Sequence, residues 1–548
     1  MPEALSDKHH TDLDAVVIGA GFAGMYQLIC LRDRLGLSVK VLEAGDGVGG
    51  TWYWNRYPGA RCDSESHAYW FTFDPELMKG WEWSERYPEQ PEILRYLNYV
   101  ADRYDLRRNI QFNTRVTSAR FDEAANRWHV RTADGESFTA KFVITAVGCL
   151  STANVPNIPG LESFKGDWYH TGMWPHGGVD FRGKRVGMIG TGSTGIQAAP
   201  VIAETAKHLT VFQRTANYSV PARNVPLTPE FKQWIKDNTH TIRTATRETL
   251  NGQPFRIEQR KALETPAEER ERLYEEAWER GGLQFRATFE DMMASKEAND
   301  TAAEFVKKKI RQIVKDPKTA AILSDIDHPY AGKRPPIDTD YFETYNRDNV
   351  TLVDVKAAPI QAITPNGIRT SDAEYELDII VFATGFDAMT GPLLAIDISG
   401  RDGLKLRDVW EAGPLNYLGL QVAGFPNLFT ITGPGSPSVL CNMPVAIEQH
   451  AEWIADCIKY MNAHGIDTIE TTPEKMAGWV QTVNEVASKT LLSTVQHSWY
   501  LGANIPGKPR VFMPYAGGMV PYREICDDIA AKGYESFVLS KARATAPA

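Results

Sequence analysis

The chain has 548 residues, of which 59 are basic and 69 acidic, and its formal net charge is −10. Hydrophobic residues make up 43% and charged residues 23%, which is ordinary for a soluble globular protein of about three or four structural units. No run of like charges stands out. The diffuse acidity therefore argues against nucleic acid or an anionic membrane as a partner.

The cysteine pattern favours a reducing compartment. No C-x-x-C pair occurs, so the spacing suits neither a disulfide framework nor a zinc site, and we expect no metal. The first residues lack the apolar stretch of a signal peptide, and no apolar run is long enough to cross a bilayer. We expect a cytoplasmic protein that is disordered only at its two ends. The six cysteines are Cys30, Cys62, Cys149, Cys441, Cys457 and Cys526.

The first strong element is the segment "DAVVIGAGFAG". It predicts a strand over Ala15–Ile18, a glycine-rich turn from Gly19 to Gly24, and a helix that begins at the turn. A second strand, "SVKVLEA", ends at Glu43. Glycines at this spacing let the backbone approach a pyrophosphate at the N-terminus of the helix, so the segment predicts a dinucleotide site.

The same plan returns in "KRVGMIGTGSTGIQAAPVIAETAKHLTVFQRT". Here Val186–Ile189 is the predicted strand, Gly190 to Gly195 the turn, and Leu209–Phe212 the next strand, which ends at Arg214. A lone G-x-G-x-x-G is weak evidence because such turns also occur without a ligand. Both copies follow a strand and open a helix, and this favours two nucleotide sites over two structural turns.

The residue that ends the second strand distinguishes the two sites. Glu43 can accept hydrogen bonds from ribose hydroxyls, as FAD or NAD requires. Arg214, followed by Thr215, suits the 2′-phosphate of NADPH, which a carboxylate would repel. The alternative for Arg214 is a solvated surface residue. We interpret the first site as that of FAD and the second as that of NADPH.

The remaining elements define the predicted organisation, an α/β fold with two Rossmann-like dinucleotide-binding domains and a helical insertion in the NADP domain. Between Val225 and Tyr330 the pattern turns helical, with a capping box at Thr265-Pro266-Ala-Glu268 and a helix end at Gly281-Gly282. Strands resume at "VTLVDV" and "LDIIVFATGFD". The predicted FAD-binding domain covers 1–150 and 384–548, the NADP-binding domain 151–224 and 331–383, and the helical subdomain 225–330.

A protein with both nucleotides passes a hydride from nicotinamide to flavin, and the next electron acceptor decides its function. A disulfide reductase needs a redox-active cysteine pair near the flavin. Cys30 and Cys62 are lone thiols, which excludes a disulfide reductase. The electron acceptor is then either an external carrier or dioxygen.

Two longer motifs resemble one family. "FKGDWYHTGMWP" matches F-x-G-x-x-x-H-x-x-x-W-P, the fingerprint of type I Baeyer–Villiger monooxygenases, and "GGTWYWNRYPGARCD" matches a second fingerprint. "AGKRPP", "ATGFDAMTG", "GPGSPSVL" and "SWYLGANIPGKPRVF" also match. The resemblance covers nearly the whole chain, and is greater to phenylacetone and steroid monooxygenases than to cyclohexanone monooxygenase.

The resemblance implies a reaction that converts ketones to esters or lactones through a C4a-peroxyflavin, with NADPH and dioxygen, and sulfoxidation as a side activity. It implies that Arg334 stabilises the anionic intermediate and that Asp63 orients it. Lys333 would contact the 2′-phosphate of NADP, and Trp499 the bound nucleotide. Alone, Arg334 could be a surface ion pair and Asp63 a turn residue.

The segment around His170 would join the two nucleotide domains, while Trp168 and Trp174 would pack between them. For His170 itself, a role in nucleotide-linked domain rotation and simple packing both stay open. The ketone would contact Leu440 and Met443. The implied cofactor-binding residues are Gly19, Gly21, Phe22, Ala23, Gly24, Glu43, Gly50, Thr51, Trp52, Asp63, Tyr69, Val116, Met443, Gly190, Thr191, Gly192, Ser193, Thr194, Gly195, Gln197, Arg214, Thr215, Lys333, Arg334 and Trp499.

We expect FAD and NADP(H) as cofactors, a ketone and dioxygen as substrates, and a monomer. One alternative is a related flavin monooxygenase that oxidises nitrogen or sulfur, whose fingerprint differs at the final Trp174-Pro175. The other is an NADPH–flavin dehydrogenase or a non-catalytic NADPH sensor, neither of which needs a buried arginine at the flavin.

Overall fold

The structure is a computed structural model that describes residues 10–541, so the disorder predicted for the two ends lies outside the described residues. Two large sheets, one mixed and one fully parallel, organise this part of the chain. Their central strands are short runs of buried apolar residues, such as Ala15, Val16 and Val17, as expected where helices cover both faces of a sheet.

The first sheet has eight strands and carries the first predicted nucleotide site. Its strands Leu428–Thr430, Ser137–Thr145, His10–Ile18, Val39–Leu42 and Ile110–Gln111 run parallel in that order. An antiparallel extension adds Arg127–Thr132 and Val116–Asp122, and Asp397–Ser399 then pairs in parallel with the last of these. The strand predicted over Ala15–Ile18 lies at the centre of this sheet, as part of His10–Ile18.

The second sheet has five parallel strands and carries the second predicted site. Its order is Val350–Asp354, His208–Gln213, Arg185–Ile189, Ile379–Phe382 and Asp167–His170. Smaller sheets pair Val220–Pro221 with Ile337–Asp338, Ile466–Glu470 with Val538–Lys541, and Ile360–Thr364 with Gly367–Thr370 and Glu374–Glu376.

Helices cover both sheets. None within residues 10–541 is long and apolar enough to span a membrane. The first helix continues as a π-helical turn, Ile29–Arg34. The α-helices are Phe22–Leu28, Thr51–Trp54, Pro75–Lys79, Gln90–Arg103, Ser193–Thr205, Pro229–Asp237, Thr239–Arg247, Ala267–Arg280, Lys296–Ile313, Pro317–Ser324, Tyr341–Thr344, Gly391–Leu394, Leu406–Val409, Met443–His464, Pro473–Ser488 and Met519–Ala531.

The helices predicted as one insertion divide between two hydrophobic cores. Ile235 and Ile242 belong to the large core under the eight-stranded sheet. Tyr274, Phe285 and Phe305 belong to the core under the five-stranded sheet. The insertion therefore packs against both sheets, and its boundaries stay a prediction.

Two local predictions were wrong. The capping box does not form, because Pro266 itself occupies the N-cap position of Ala267–Arg280 and the Thr265 hydroxyl instead donates to the carbonyl of Lys261 at 2.9 Å. Trp168 is 39% exposed rather than packed between domains, since it lies on an edge strand, where its ring makes a T-shaped contact with Phe382. Trp174 is buried, as expected.

Candidate active site

The first glycine turn has the geometry of a phosphate cradle. Gly19 follows the strand with φ of +103°, and the N-cap residue Gly21 gives the helix no side-chain cap, so the first N–H groups point outward unpaired. A Cβ at Gly24 would overlap the carbonyl oxygen of Gly19, which explains the third glycine. These features fit the pyrophosphate of a dinucleotide.

Glu43 is buried at the end of the second strand, where it holds the turn. Its two carboxylate oxygens accept hydrogen bonds from the backbone N–H groups of Ala20 and Gly45, each at 2.7 Å. Burial raises the pKa of Glu43, and these hydrogen bonds oppose the rise. A carboxylate has about four acceptor positions, so the remaining ones fit ribose hydroxyls.

The other residues predicted to bind the first nucleotide lie close to this turn. Phe22 and Ala23 begin the helix, and Gly50 and Thr51 begin the next one, Thr51–Trp54. The Trp52 indole donates to the Tyr69 hydroxyl at 3.1 Å, and the Tyr69 ring packs 5.5 Å from Phe22. Val116 starts the strand Val116–Asp122.

The second glycine turn repeats the first. Gly190 has φ of +114°, and Gly192 is the N-cap of the helix Ser193–Thr205, again without a side-chain cap. A Cβ placed on Gly192 would meet no atom within 4 Å, so this turn faces open space where a pyrophosphate fits. Thr191 donates from its hydroxyl to the carbonyl of Thr215 at 2.9 Å, which joins the turn to the end of the next strand.

Two cations lie beside this second turn. Arg214 is exposed, Lys333 is half-buried, and neither makes an ion pair or side-chain hydrogen bond within residues 10–541. Burial lowers the pKa of Lys333; the charge of Asp327 raises it, and that of Arg214 lowers it further. Two unpaired cations that repel each other favour a bound anion, and this observation supports a 2′-phosphate at this position.

Arg334 and Asp63 form a two-pronged ion pair between distant parts of the chain. The guanidinium donates from Nε to Oδ2 at 2.8 Å and from Nη2 to Oδ1 at 2.6 Å, while Nη1 donates to the carbonyl of Val439 at 3.0 Å. Burial opposes the charge of Arg334, but Asp63 outweighs it and raises the pKa of the guanidinium. A fixed, fully charged donor group results.

The Val439 contact connects Arg334 to the predicted ketone loop. Leu440 ends the short 3₁₀ turn Ser438–Leu440, and Met443 begins the long helix Met443–His464. Between them, the Asn442 amide donates to the carbonyls of Ala68 and Gly252 at 2.7 and 3.1 Å. Both predicted substrate residues are half-buried, and Leu440 directly follows the residue whose carbonyl accepts from Arg334.

The second fingerprint packs against the helix of the other nucleotide site. The Tyr57 hydroxyl donates to Gln197 at 2.7 Å, and the Gln197 amide donates to the carbonyl of Arg61 at 3.1 Å. Gly59 has φ of +78°, and a Cβ there would overlap the carbonyl oxygen of Gln197. Gln197 therefore lies at the contact between the two nucleotide units.

His170 is buried at the end of the edge strand Asp167–His170. Its Nδ1 accepts a hydrogen bond from the N–H of Gly172 at 3.0 Å, and its Nε2 has no partner within residues 10–541. Burial lowers the pKa of His170. The ring contacts Phe386, which follows the strand Ile379–Phe382. This position beside a chain crossing fits the predicted joint.

Sequence reasoning missed the groups that support this site. The Gln253 amide donates to the Ser64 hydroxyl at 2.7 Å, directly beside Asp63, and both residues are buried. Tyr500 was also missed; its ring lies 4.5 Å from that of Trp499, burial raises the pKa of its hydroxyl, and the charge of Arg334 opposes this rise. No local pattern marks Gln253, because its partner lies 189 positions away. Among residues 10–541, no cluster of metal-binding side chains occurs.

Comparison with known proteins places the chain in a family. A family described as pyridine nucleotide-disulphide oxidoreductase matches residues 16–265, which include both glycine turns. The chain is 48% identical over 531 residues to a Baeyer–Villiger monooxygenase of Pseudooceanicola batsensis, covering 96% of both chains. It is 44% identical to a phenazine N-monooxygenase of Lysobacter antibioticus, covering 97% of this chain and 98% of that one.

Among solved structures, an oxidised steroid monooxygenase bound to NADP superimposes with a TM-score of 0.93 at 52% identity, covering 97% of this chain and all of that chain. The chain belongs to the Baeyer–Villiger monooxygenase family. The predicted family, enzyme class and α/β fold with two dinucleotide-binding units are confirmed.

Proposed function

We propose that this enzyme inserts one oxygen atom beside the carbonyl of a ketone, with Arg334 as the group that stabilises negative charge at the reacting centre. FAD and NADP(H) are its cofactors. The reaction consumes the ketone, dioxygen, NADPH and one proton from the solvent, and NADPH supplies two electrons and one proton as a hydride. The products are an ester or lactone, water and NADP⁺. One atom of dioxygen enters the ester or lactone, and the other becomes water.

The geometry of Arg334 carries this proposal. Flavin, when bound, supplies the two-electron reduction of dioxygen. The ketone oxygen becomes an oxyanion when the carbonyl carbon is attacked, and such a charge in a partly dehydrated site needs a fixed donor. The Arg334 guanidinium stays protonated throughout, and Asp63 sets its plane by two parallel hydrogen bonds. Asp63 therefore positions the donor.

The same pair distinguishes this reaction from the two alternatives. A dehydrogenase or sensor has no use for a partly buried arginine held against a carboxylate and the ketone loop. Oxidation of nitrogen or sulfur requires no oxyanion on the substrate. The phenazine N-monooxygenase among the relatives makes that activity a second candidate, and the fingerprint Trp174-Pro175 together with Arg334 favours the ketone reaction.

The cofactor and substrate residues follow from this placement. We assign FAD to the turn at Gly19–Gly24 with Glu43, and NADP to the turn at Gly190–Gly195 with Arg214 and Lys333. Leu440 and Met443 would contact the ketone. A monomeric state and a cytoplasmic location stay predictions.

Product analysis with labelled dioxygen tests the function. The FAD-loaded enzyme is incubated with NADPH, ¹⁸O₂, and either phenylacetone or a steroid ketone, and products are identified by mass spectrometry. We expect an ester with one labelled oxygen from at least one ketone. Consumption of NADPH with only hydrogen peroxide as product from both ketones would contradict the proposed substrates. N-oxidation of a phenazine without ester formation would favour the second candidate.

A further inference from the structure

A cavity of about 710 Å³ lies outside the site described above. Its lining comes from two parts of the chain. One part is a face of the helix Gln90–Arg103 together with Arg56, in the predicted FAD-binding domain. The other part is Pro175, His176 and Gly178, where the F-x-G-x-x-x-H-x-x-x-W-P fingerprint ends, in the predicted NADP-binding domain. None of the lining residues belongs to a glycine turn or to the predicted ketone loop, so this cavity is separate from the reaction centre.

The wall in the FAD-binding domain is held in place by packing. The Gln90 amide donates to the carbonyl of Trp52, which joins the start of the long helix to the helix Thr51–Trp54. A Cβ at Gly49 would lie 2.7 Å from Cδ1 of Leu94, so the same helix packs directly on the backbone that precedes Thr51–Trp54. The shape of the cavity on this side is therefore set by the fold.

Two arginines in this cavity lack a counter-charge. Arg56 is half-buried and donates from Nε and Nη2 to the carbonyl of Tyr53 at 2.9 and 2.6 Å, and its guanidinium lies 5.1 Å from the centre of the Tyr53 ring. These contacts orient the group and leave Nη1 without a partner among the described residues. Arg95 is exposed on the long helix. Within residues 10–541, neither arginine makes an ion pair, and the Arg95 side chain makes no hydrogen bond.

A third donor comes from the other predicted domain. The His176 ring makes a T-shaped contact with the Tyr53 ring at 5.1 Å, so His176 and Arg56 both lie against one aromatic ring. The His176 side chain has no hydrogen bond in the part of the chain that the structure describes. An imidazole keeps at least one N–H donor in either charge state. Three donor groups from two domains thus line one cavity.

The charge of the lining favours an anion. Asp102 is the one acid among the lining residues, and Arg107 already pairs with it, donating from Nε at 2.8 Å. The lining therefore has an excess of positive charge in a chain whose net charge is −10. Its other surface is largely apolar, with Pro91, Leu94 and Pro175. Apolar surface beside a few polar groups suits an organic ligand rather than a bare ion.

We propose that this cavity binds an organic phosphate monoester, with the phosphate at the two arginines and His176 and the organic group on the apolar part of the lining. A phosphate dianion has more charge and one more terminal oxygen than a carboxylate, which matches two guanidinium groups and an imidazole. Small-molecule sites are typically about 300–1,000 Å³, so the volume suits a mononucleotide. The phosphates of FAD and NADP have their own sites at the glycine turns, so the ester is a third ligand.

Calorimetric titration tests this assignment. The FAD-loaded enzyme is titrated in phosphate-free buffer with saturating NADP⁺, so that both dinucleotide sites are filled. The probes are AMP and adenosine, phenyl phosphate and benzoate, and inorganic phosphate. The enzymes compared are the wild type, Arg95→Gln, Arg56→Gln and His176→Ala. Arg131→Gln is the matched control, because Arg131 is also exposed and without a side-chain partner within residues 10–541 but lies on the strand Arg127–Thr132.

We expect AMP and phenyl phosphate to bind with a Kd below about 1 mM, at least about tenfold more tightly than adenosine, benzoate or inorganic phosphate. Arg95→Gln and Arg56→Gln should each weaken both esters about tenfold or more, because a charge-assisted pair is lost. His176→Ala should weaken them about threefold, as for a single neutral hydrogen bond. Arg131→Gln should bind the esters as the wild type does. Since Arg95 is exposed, Arg95→Gln should keep the wild-type Tm and FAD content, so its loss of binding is not a loss of folding.

Several results would overturn the inference. If neither ester binds at about 10 mM, the cavity is not a phosphate site. Benzoate as tight as phenyl phosphate would assign a carboxylate, and inorganic phosphate as tight as AMP would leave no role for the organic group. Unchanged ester affinity in both Arg95→Gln and Arg56→Gln would place any binding elsewhere. Each of these results leaves the proposed ketone reaction untouched, because no ketone enters the titration.

Discussion

Removing Arg334 should separate reduction of the flavin from oxygenation of the ketone. In Arg334→Met, both glycine turns and the cations of the 2′-phosphate site are intact, so NADPH should still reduce the bound flavin at a rate close to that of the wild type. Ester formation should fall by a factor of at least about 10² to 10³, as when a donor to a developing oxyanion is removed. NADPH should then be consumed with hydrogen peroxide as the product.

The same substitution should lower stability by an amount that the geometry bounds. Removing one partner of a fully buried ion pair costs about 3–5 kcal/mol. The Arg334 and Asp63 side chains keep 29% and 16% of their surface exposed, so water compensates part of the loss and we expect about 1–3 kcal/mol. The double variant with Asp63→Asn should recover part of this, since no carboxylate is then left without a cation.

A double-mutant cycle on the two residues checks the reasoning. Because Asp63 acts through Arg334, the double variant should lose no more ester yield than Arg334→Met alone. The assays are anaerobic rapid mixing for flavin reduction, ester yield per NADPH, and urea unfolding. Arg185→Met is the control, since Arg185 pairs in the same two-pronged way with Asp378 far from the site. Normal ester yield from Arg334→Met, or full additivity of the two substitutions, would refute the assignment.

Three further predictions concern the nucleotide site, the junction and one buried acid. Alanine at Arg214 or Lys333 should raise KM for NADPH about tenfold and leave that for NADH unchanged; equal losses would contradict a phosphate site. Gly59→Ala should cost about 1–3 kcal/mol in thermal unfolding, more than Gly36→Ala, where φ is +70° but nothing lies within 4 Å. Burial raises the pKa of Asp338 from 3.8 to about 7, so the folded state binds a proton that the unfolded state has lost. The free energy of unfolding therefore decreases as the pH rises from about 3.8 to about 7. Asp338→Asn should flatten that fall in Tm, and an unchanged pH profile would contradict it.

The sequence predicted the two nucleotide turns because their signal is local. Strand, turn and helix lie within about 30 residues of each other, and glycines such as Gly24 and Gly195 are required by backbone contacts inside the same unit. The prediction for Glu43 was incomplete. Its position at the strand end was correct, but its hydrogen bonds to the backbone of its own turn cannot be read from residue type.

The contacts of Arg334 could not be predicted from local sequence patterns. Arg334 and Asp63 are 271 positions apart, and Val439 comes from a third segment. Each residue alone matches an ordinary surface ion pair or turn, and only the resemblance to a family connected them. Gln253 carries no motif at all. Its placement beside Ser64 follows from packing of a distant segment, which periodicity along one segment does not encode.

This origin from separate segments has a consequence for how the site responds to domain movement. Asp63 and Val439 belong to the part of the chain around the eight-stranded sheet, whereas Arg334 follows the helices that pack under the five-stranded one. Any rotation of one unit against the other must stretch three hydrogen bonds at Arg334 or carry Asp63 along with it. The Gly59–Gln197 contact and the Tyr57 hydrogen bond lie on the same junction and resist the same rotation. Under the proposed function, a rotation that breaks the Tyr57 and Gly59 contacts with Gln197 would also pull Asp63 and Val439 away from Arg334, so that oxyanion stabilisation and the contact between the two units would be lost together. A role of His170 in such a rotation stays a prediction.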